Sequence, residues 1–263
     1  MLDYRHYSLQ FRKNKTEDWC SSDTEDRYSE TTEYGPNLYQ PGSFQYTYNS
    51  DGFRCDEFDL PSQERIVFLG CSFTEGIGLP IESTWAYQLL QKIRNKTGKN
   101  IPFWNLAIGG GGIDTMASHL YQYIDKIRPR HIIFLRPPWV RRQAKINTDY
   151  HIEWMPGYDS VSSEFEKVFS NEHYALQQAD RSLTIIDLLA QKHNSIVHHI
   201  NWQLINGVDQ KLESALVACK NFRYINSTWP HRVDVARDNM HPGPQTHTIA
   251  VNKMWETDMR NYF

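Results

Sequence analysis

The sequence predicts an α/β domain built on a parallel sheet, and three observations lead there. Ile66-Val67-Phe68-Leu69 and His131-Ile132-Ile133-Phe134-Leu135 are short apolar runs without alternation, as in strands buried on both faces. Segments with helical spacing lie between such runs. Strand and helix then alternate along the chain, and parallel neighbours need a crossover, which covers the sheet on both sides.

Taken in order, residues 1 to about 60 are polar and rich in Tyr, Ser, Thr, Asp and Glu, with turn signals at Gly35-Pro36 and Pro41-Gly42 and no sustained helical period. They read as an irregular, extended arm packed on a main domain spanning 61–263. The first core strand ends at Gly70. Thr84 to Asn95 reads as a helix with Ser83 as N-cap, Trp85, Leu89, Leu90 and Ile93 on one side, and Gly98 past its end. Ile101 to Ala107 is the second strand and runs into Gly109 to Gly112. Met116, Leu120, Tyr123, Ile124 and Ile127 recur at helical spacing up to Pro129, and the His131 run is the third strand.

Beyond it, Arg136 to Ser160 reads as an irregular insertion, followed by a long helical pattern from about Ser163 to Lys192 with a break near Asn171. Ser195 to Ile200 and Phe222 to Ile225 are the next strands, with a helix over Val208 to Cys219 between them. Gln245 to Arg260 closes the chain as a helix with Pro244 near its first turn. In such sheets ligands sit beyond the carboxyl ends of the strands. Functional residues are therefore expected just after Leu69, Ala107, Leu135, Ile200 and Ile225.

Composition narrows the function. The 263 residues are 40% hydrophobic and 22% charged, which suits one globular domain with a sizeable core. A net charge of −3 and only short basic runs, at Arg128 to His131 and at Arg141-Arg142, argue against nucleic acid as a partner. Cys20, Cys55, Cys71 and Cys219 lack metal-site spacing and read as reduced thiols, and no metal site is expected. The N-terminus lacks the apolar run of a signal peptide, and no stretch approaches the roughly 18 apolar residues that span a bilayer, so a cytoplasmic protein without a membrane partner is expected.

Two motifs carry chemistry. Gly70-Cys71-Ser72-Phe73-Thr74-Glu75-Gly76 follows the first strand, and Asp238-Asn239-Met240-His241-Pro242 precedes the last helix. A serine hydroxyl needs a base within hydrogen-bond reach to act as a nucleophile at neutral pH, and a glycine-flanked turn exposes it to substrate. Imidazole is the side chain suited to take and return that proton, with a carboxylate on its other nitrogen fixing tautomer and orientation. Ser72, His241 and Asp238 fit these roles. His247 and the His198-His199 pair have no carboxylate or Cys at ligand spacing and read as structural, and Cys71 reads as a small buried residue.

In this order and with these flanks the motifs resemble the first and last sequence blocks of the SGNH/GDSL hydrolases. Asn105-Leu106-Ala107-Ile108-Gly109-Gly110 is similar to the family's second block, whose glycine N–H helps bind the tetrahedral oxyanion; Gly110 is the matching residue. The third block departs from the pattern. Where the family carries Gly-x-Asn-Asp after the third strand, this chain has Arg136-Pro137-Pro138-Trp139, so Pro138 stands at the place of a side-chain oxyanion donor. Arg136, Arg141, Arg142 and Gln143 are the candidates to replace that donor or to bind substrate. Trp139, Trp202 and Trp229 fall near strand ends, where aromatic faces suit sugar rings.

The resemblance spans about Asn49 to Phe263. It implies a three-layer α/β/α domain with a flavodoxin-like parallel sheet and a serine esterase acting on short acyl esters or carbohydrate O-acetyl groups. The oxyanion would be held by the N–H groups of Ser72 and Gly110, and no cofactor would be required. The alternative from a different class is a catalytically weak or inactive SGNH-fold protein that binds a glycan or a protein partner.

Overall fold

The computed structural model describes residues 7–30, 34, 38–145, 151–154, 172–201, 216 and 218–263. Its centre is a five-stranded sheet of β1 (Ile66–Leu69), β2 (Trp104–Asn105), β3 (His131–Arg136), β4 (Ile196–Asn201) and β5 (Phe222–Thr228). Their spatial order is β2-β1-β3-β4-β5 and every neighbouring pair is parallel. That is the flavodoxin-like order, and it reverses between β1 and β3, the kind of switch point beyond whose strand ends ligands sit in such sheets.

Because successive strand residues face opposite ways, each strand feeds two cores. Val67, Leu69, Ile132, Phe134 and Val197 pack with the helices Ile113–Ile127 (α3) and Glu172–His193 (α4). Ile66, Phe68, Ile133, Leu135 and Ile200 pack with Trp85–Thr97 (α2) and Pro244–Thr257 (α5). The result is three layers, α/β/α. A four-residue helix, Ser72–Glu75 (α1), follows β1 directly.

Several boundaries differ from the sequence reading. Thr84, not Ser83, caps α2: its hydroxyl accepts the Tyr87 N–H, while Ser83 closes a short 3₁₀ turn. Pro244 is the first residue of α5. The second strand is far shorter than Ile101 to Ala107: the Phe103 N–H donates to the Asp56 carboxylate and the Ala107 N–H to Asn105 Oδ1 instead of to the ladder. The insertion after β3, expected to be irregular, contains an antiparallel hairpin, Arg142–Lys145 with His151–Trp154, whose four-residue strands are too short to show a strand's period. Residues 155–171, with the start of the helix expected from Ser163, and most of Val208 to Cys219 lie outside the described residues.

In the arm, Tyr7–Arg12 and Glu25–Tyr28 are helical, and Thr16–Glu17 pairs antiparallel with Tyr46–Thr47. Leu9 is buried in the same core as Phe53 and α3. The four cysteines are free thiols. Among the described residues no helix is long and apolar enough to cross a membrane.

Candidate active site

The Ser72 turn is built by local bonds. Cys71 is extended, and its carbonyl accepts the N–H groups of Thr74 and Glu75, which starts the helix at Ser72. Gly76 ends it at φ 82°, a left-handed conformation that any side chain would strain. Arg54, fully buried, donates to the carbonyls of Gly76 and Leu79 at 2.7 Å each, and Asn105 at the end of β2 donates to the Thr74 carbonyl at 2.9 Å. Ser72 is therefore held at the carboxyl end of β1, beside the point where the strand order reverses. As the first residue of its helix it carries an N–H with no intrahelical acceptor.

The glycine loop after β2 is tied to the same turn. Glu75 accepts the Gly109 N–H, and the Gly111 N–H donates to the Ile108 carbonyl at 3.0 Å. Between them, Gly110 sits at φ 81°. Among the described residues its N–H has no protein acceptor.

Asp238 and His241 meet in the loop before α5. His241 Nδ1 lies 2.5 Å from Asp238 Oδ2, and the His241 and Met240 N–H groups donate to Oδ1 at 2.9 and 3.1 Å. Burial alone would raise the Asp238 carboxyl, but the hydrogen bonds and charge of His241, its backbone N–H and the Ser22 hydroxyl outweigh it and hold it at about 2. An ionised Asp238 keeps a proton on Nδ1, the imidazole nitrogen that faces it. The His241 ring stands edge-on to Phe73, the residue after Ser72, at 5.6 Å between ring centres. No hydrogen bond joins Ser72 to His241 among the described residues, and catalytic bonds of this kind are often long before substrate binds.

The other candidate residues have separate surroundings. Arg136 ends β3, is buried and donates to Asn201 Oδ1 at 3.3 Å across the sheet. Pro138 accepts the Arg141 N–H at 3.2 Å. Trp139 packs against the core on the α3 and α4 side, and Trp229 packs among Phe73, Trp85 and His247. The backbones of Arg142 and Gln143 lie in the hairpin, and Trp202 lies outside the described residues. His247 accepts the Trp85 N–H at 2.9 Å, and burial pushes it down to about 3, so it is a neutral structural group. His198 stacks on His131, while His199, on the other face, packs edge-on to Tyr224.

No protein-family model and no curated protein sequence matches the chain. Among solved structures it is similar to TesA, with a TM-score of 0.50 and 13% identity over 74% of this chain and 98% of that one. The chain has an SGNH-type three-layer α/β/α fold. It is also similar to the esterase EstA from Pseudoalteromonas sp., with a TM-score of 0.48 and 11% identity over 75% and 97% of the two chains. Axe2, an acetylxylan esterase from Geobacillus stearothermophilus, gives a TM-score of 0.48 and 10% identity over 75% and 95%.

On this SGNH-type fold the arm brings residues that the sequence motifs did not indicate. Arg12 pairs with Glu75 at 2.8 Å, and Asp23 pairs with Arg237, both with no exposed side-chain surface. Ser22 donates to Asp238 at 2.7 Å. Glu75 had one visible signal, a carboxylate inside an otherwise small and apolar turn motif. Ser22 and Asp23 had none, since Ser and Asp recur throughout the arm.

Proposed function

We propose that the chain is a serine ester hydrolase with Ser72 as nucleophile, His241 as general base and then acid, and Asp238 as the group that orients His241. The observation that carries this reading is the ionised Asp238 on His241 Nδ1, with the imidazole packed edge-on to the residue after Ser72. Ser72 Oγ attacks the ester carbonyl carbon as its proton passes to His241 Nε2. The N–H groups of Ser72 and Gly110 donate to the oxyanion. Collapse breaks the bond to the alcohol, which leaves with the proton from His241, and water activated by the same imidazole then frees the acid and restores Ser72.

The substrate class we assign is a short acyl ester, with O-acetyl groups on carbohydrate as the first to be tested. The esterases among the similar structures include one named for acetylxylan, which supports that choice. The second reading, a catalytically weak SGNH-fold protein that binds a glycan or a protein partner, is favoured by Pro138 at the place of the oxyanion asparagine. A fluorophosphonate probe separates the two. Labelling of the wild type that Ser72→Ala abolishes supports the hydrolase, and an unlabelled wild type supports the binding protein.

A further inference from the structure

The carboxylate of Asp238 is engaged from two distant parts of the chain. Oδ1 accepts two N–H groups of its own loop, from Met240 and His241. Oδ2 accepts the His241 Nδ1 proton at 2.5 Å and the Ser22 hydroxyl at 2.7 Å, from a residue 216 positions away. A carboxylate has about four lone-pair sites, so these donors fill it. Three of them belong to the loop, and the fourth belongs to the arm.

What places Ser22 there is its neighbour. Asp23 holds Arg237, the residue before Asp238: Arg237 Nε donates to both Asp23 oxygens at 3.1 Å and Nη2 donates to Oδ2 at 2.6 Å. The guanidinium lies over the rings of Trp19 and Phe44, 4.3 and 3.9 Å from their centres. Tyr46 donates to Asp23 at 2.5 Å and accepts the Gly78 N–H at 2.7 Å, and the Arg237 N–H donates to the Gly78 carbonyl at 2.8 Å. On the far side, Asn239 donates to the Arg27, Tyr28 and Glu30 carbonyls. Two adjacent arm residues thus meet two adjacent loop residues, and the buried ion pair sets the register in which Ser22 faces Asp238.

We propose that Ser22 is a positioning residue of this site: its hydroxyl fixes the plane of the Asp238 carboxylate so that Oδ2 meets His241 Nδ1, and through it orients the imidazole. This rests on the ester hydrolase reading. The clamp of Asp23 on Arg237 holds the arm without Ser22, so the hydroxyl is not needed to dock it. Its place is on Oδ2, the one carboxylate oxygen that carries the imidazole, where a second donor stops rotation about the terminal torsion, which is otherwise broad. The other charged or titratable groups around the pair are Arg27 and Arg232, which reach Met240, Arg237 behind Asp238, and the buried His247.

The test compares Ser22→Ala and Ser22→Thr with the wild type, by kinetics on p-nitrophenyl acetate and by the downfield proton resonance of His241 Nδ1–H. In Ser22→Ala we expect kcat to fall about tenfold, the equivalent of one charge-assisted hydrogen bond, with KM within about twofold. The Nδ1–H resonance should move, because Oδ2 loses a competing donor, and Ser22→Thr should recover both readings. Unchanged kcat with an unmoved resonance overturns the proposal, as does a fall in kcat that Thr does not recover. If the wild type turns over no ester, the hydrolase reading fails on its own. The resonance then decides alone: unmoved in Ser22→Ala, it refutes the role of Ser22; moved and recovered by Thr, it upholds that role.

Discussion

Arg12 Nη1 lies 2.8 Å from Glu75 Oε1, and the other oxygen of Glu75 accepts the Gly109 N–H, so one carboxylate joins the arm, the Ser72 turn and the glycine loop. Glu75 is almost fully buried. Glu75→Gln keeps the shape but leaves the Arg12 guanidinium without its counter-charge, which should cost about 3 kcal/mol of stability. Urea unfolding checks this, and an unshifted midpoint would show that the pair contributes nothing net.

A second expectation concerns the oxyanion. If no residue replaces the side-chain donor at the place of Pro138, about 3 kcal/mol of transition-state stabilisation is lost, and hydrolysis of p-nitrophenyl acetate should be measurable but slow. If Arg136 supplies the missing donor, Arg136→Ala slows neutral and anionic esters alike. If Arg136 binds substrate, the same change chiefly raises KM for anionic esters. Rates unchanged from the wild type with both esters would remove Arg136 from the mechanism.

Asp238→Asn should lower kcat by about 10³–10⁴-fold while the fold persists. An amide can turn its NH₂ toward Nδ1, which drives the imidazole proton to Nε2, where the base must be empty. Steady-state kinetics with a circular dichroism control reads this directly. Retained activity would mean that Asp238 does not orient His241.

Acid stability follows from the buried imidazoles. Burial lowers His198 and His247 from the usual 6.5 to about 3, and His131 to about 4. The folded protein keeps them neutral while the unfolded chain takes up protons below about 6.5, so stability is full above that value and falls as pH drops toward 4. For His247 the loss between pH 6.5 and 5 is about 2 kcal/mol. Urea midpoints should therefore fall over this range, and less steeply in His247→Gln, whose amide oxygen can still accept the Trp85 N–H. A parallel slope in the variant would show that His247 does not contribute.

What could be read from the sequence was what short segments determine. An unbroken apolar run such as Ile66 to Leu69 admits few readings, and two such runs among five strand segments with helices between them indicate the fold class. Asp238 and His241 are three residues apart on one loop, so their sequence spacing bounds their distance in space. The hairpin of Arg142–Lys145 with His151–Trp154 escaped because Arg142-Gln143-Ala144-Lys145 shows none of the apolar alternation that signals a strand. The clamp of Asp23 on Arg237 escaped for another reason: its partners are 214 residues apart, and nothing local distinguishes this Asp from the others in the arm. Thr84 rather than Ser83 caps α2 because either hydroxyl serves and the backbone decides.

The docking of the arm also sets an order of events during synthesis. Arg12 can find Glu75 early, but Ser22 and Asp23 wait for Arg237 and Asp238, which leave the ribosome more than 200 residues later. Translation at about 5–20 residues per second makes that delay at least ten seconds or so. During it Trp19 and Phe44 have no Arg237 guanidinium to enclose, whereas Tyr46 already has that of Arg54. A nascent chain halted before Arg237 is thus a likelier client for chaperones than the finished protein, and it holds a Ser72 with no base to activate it.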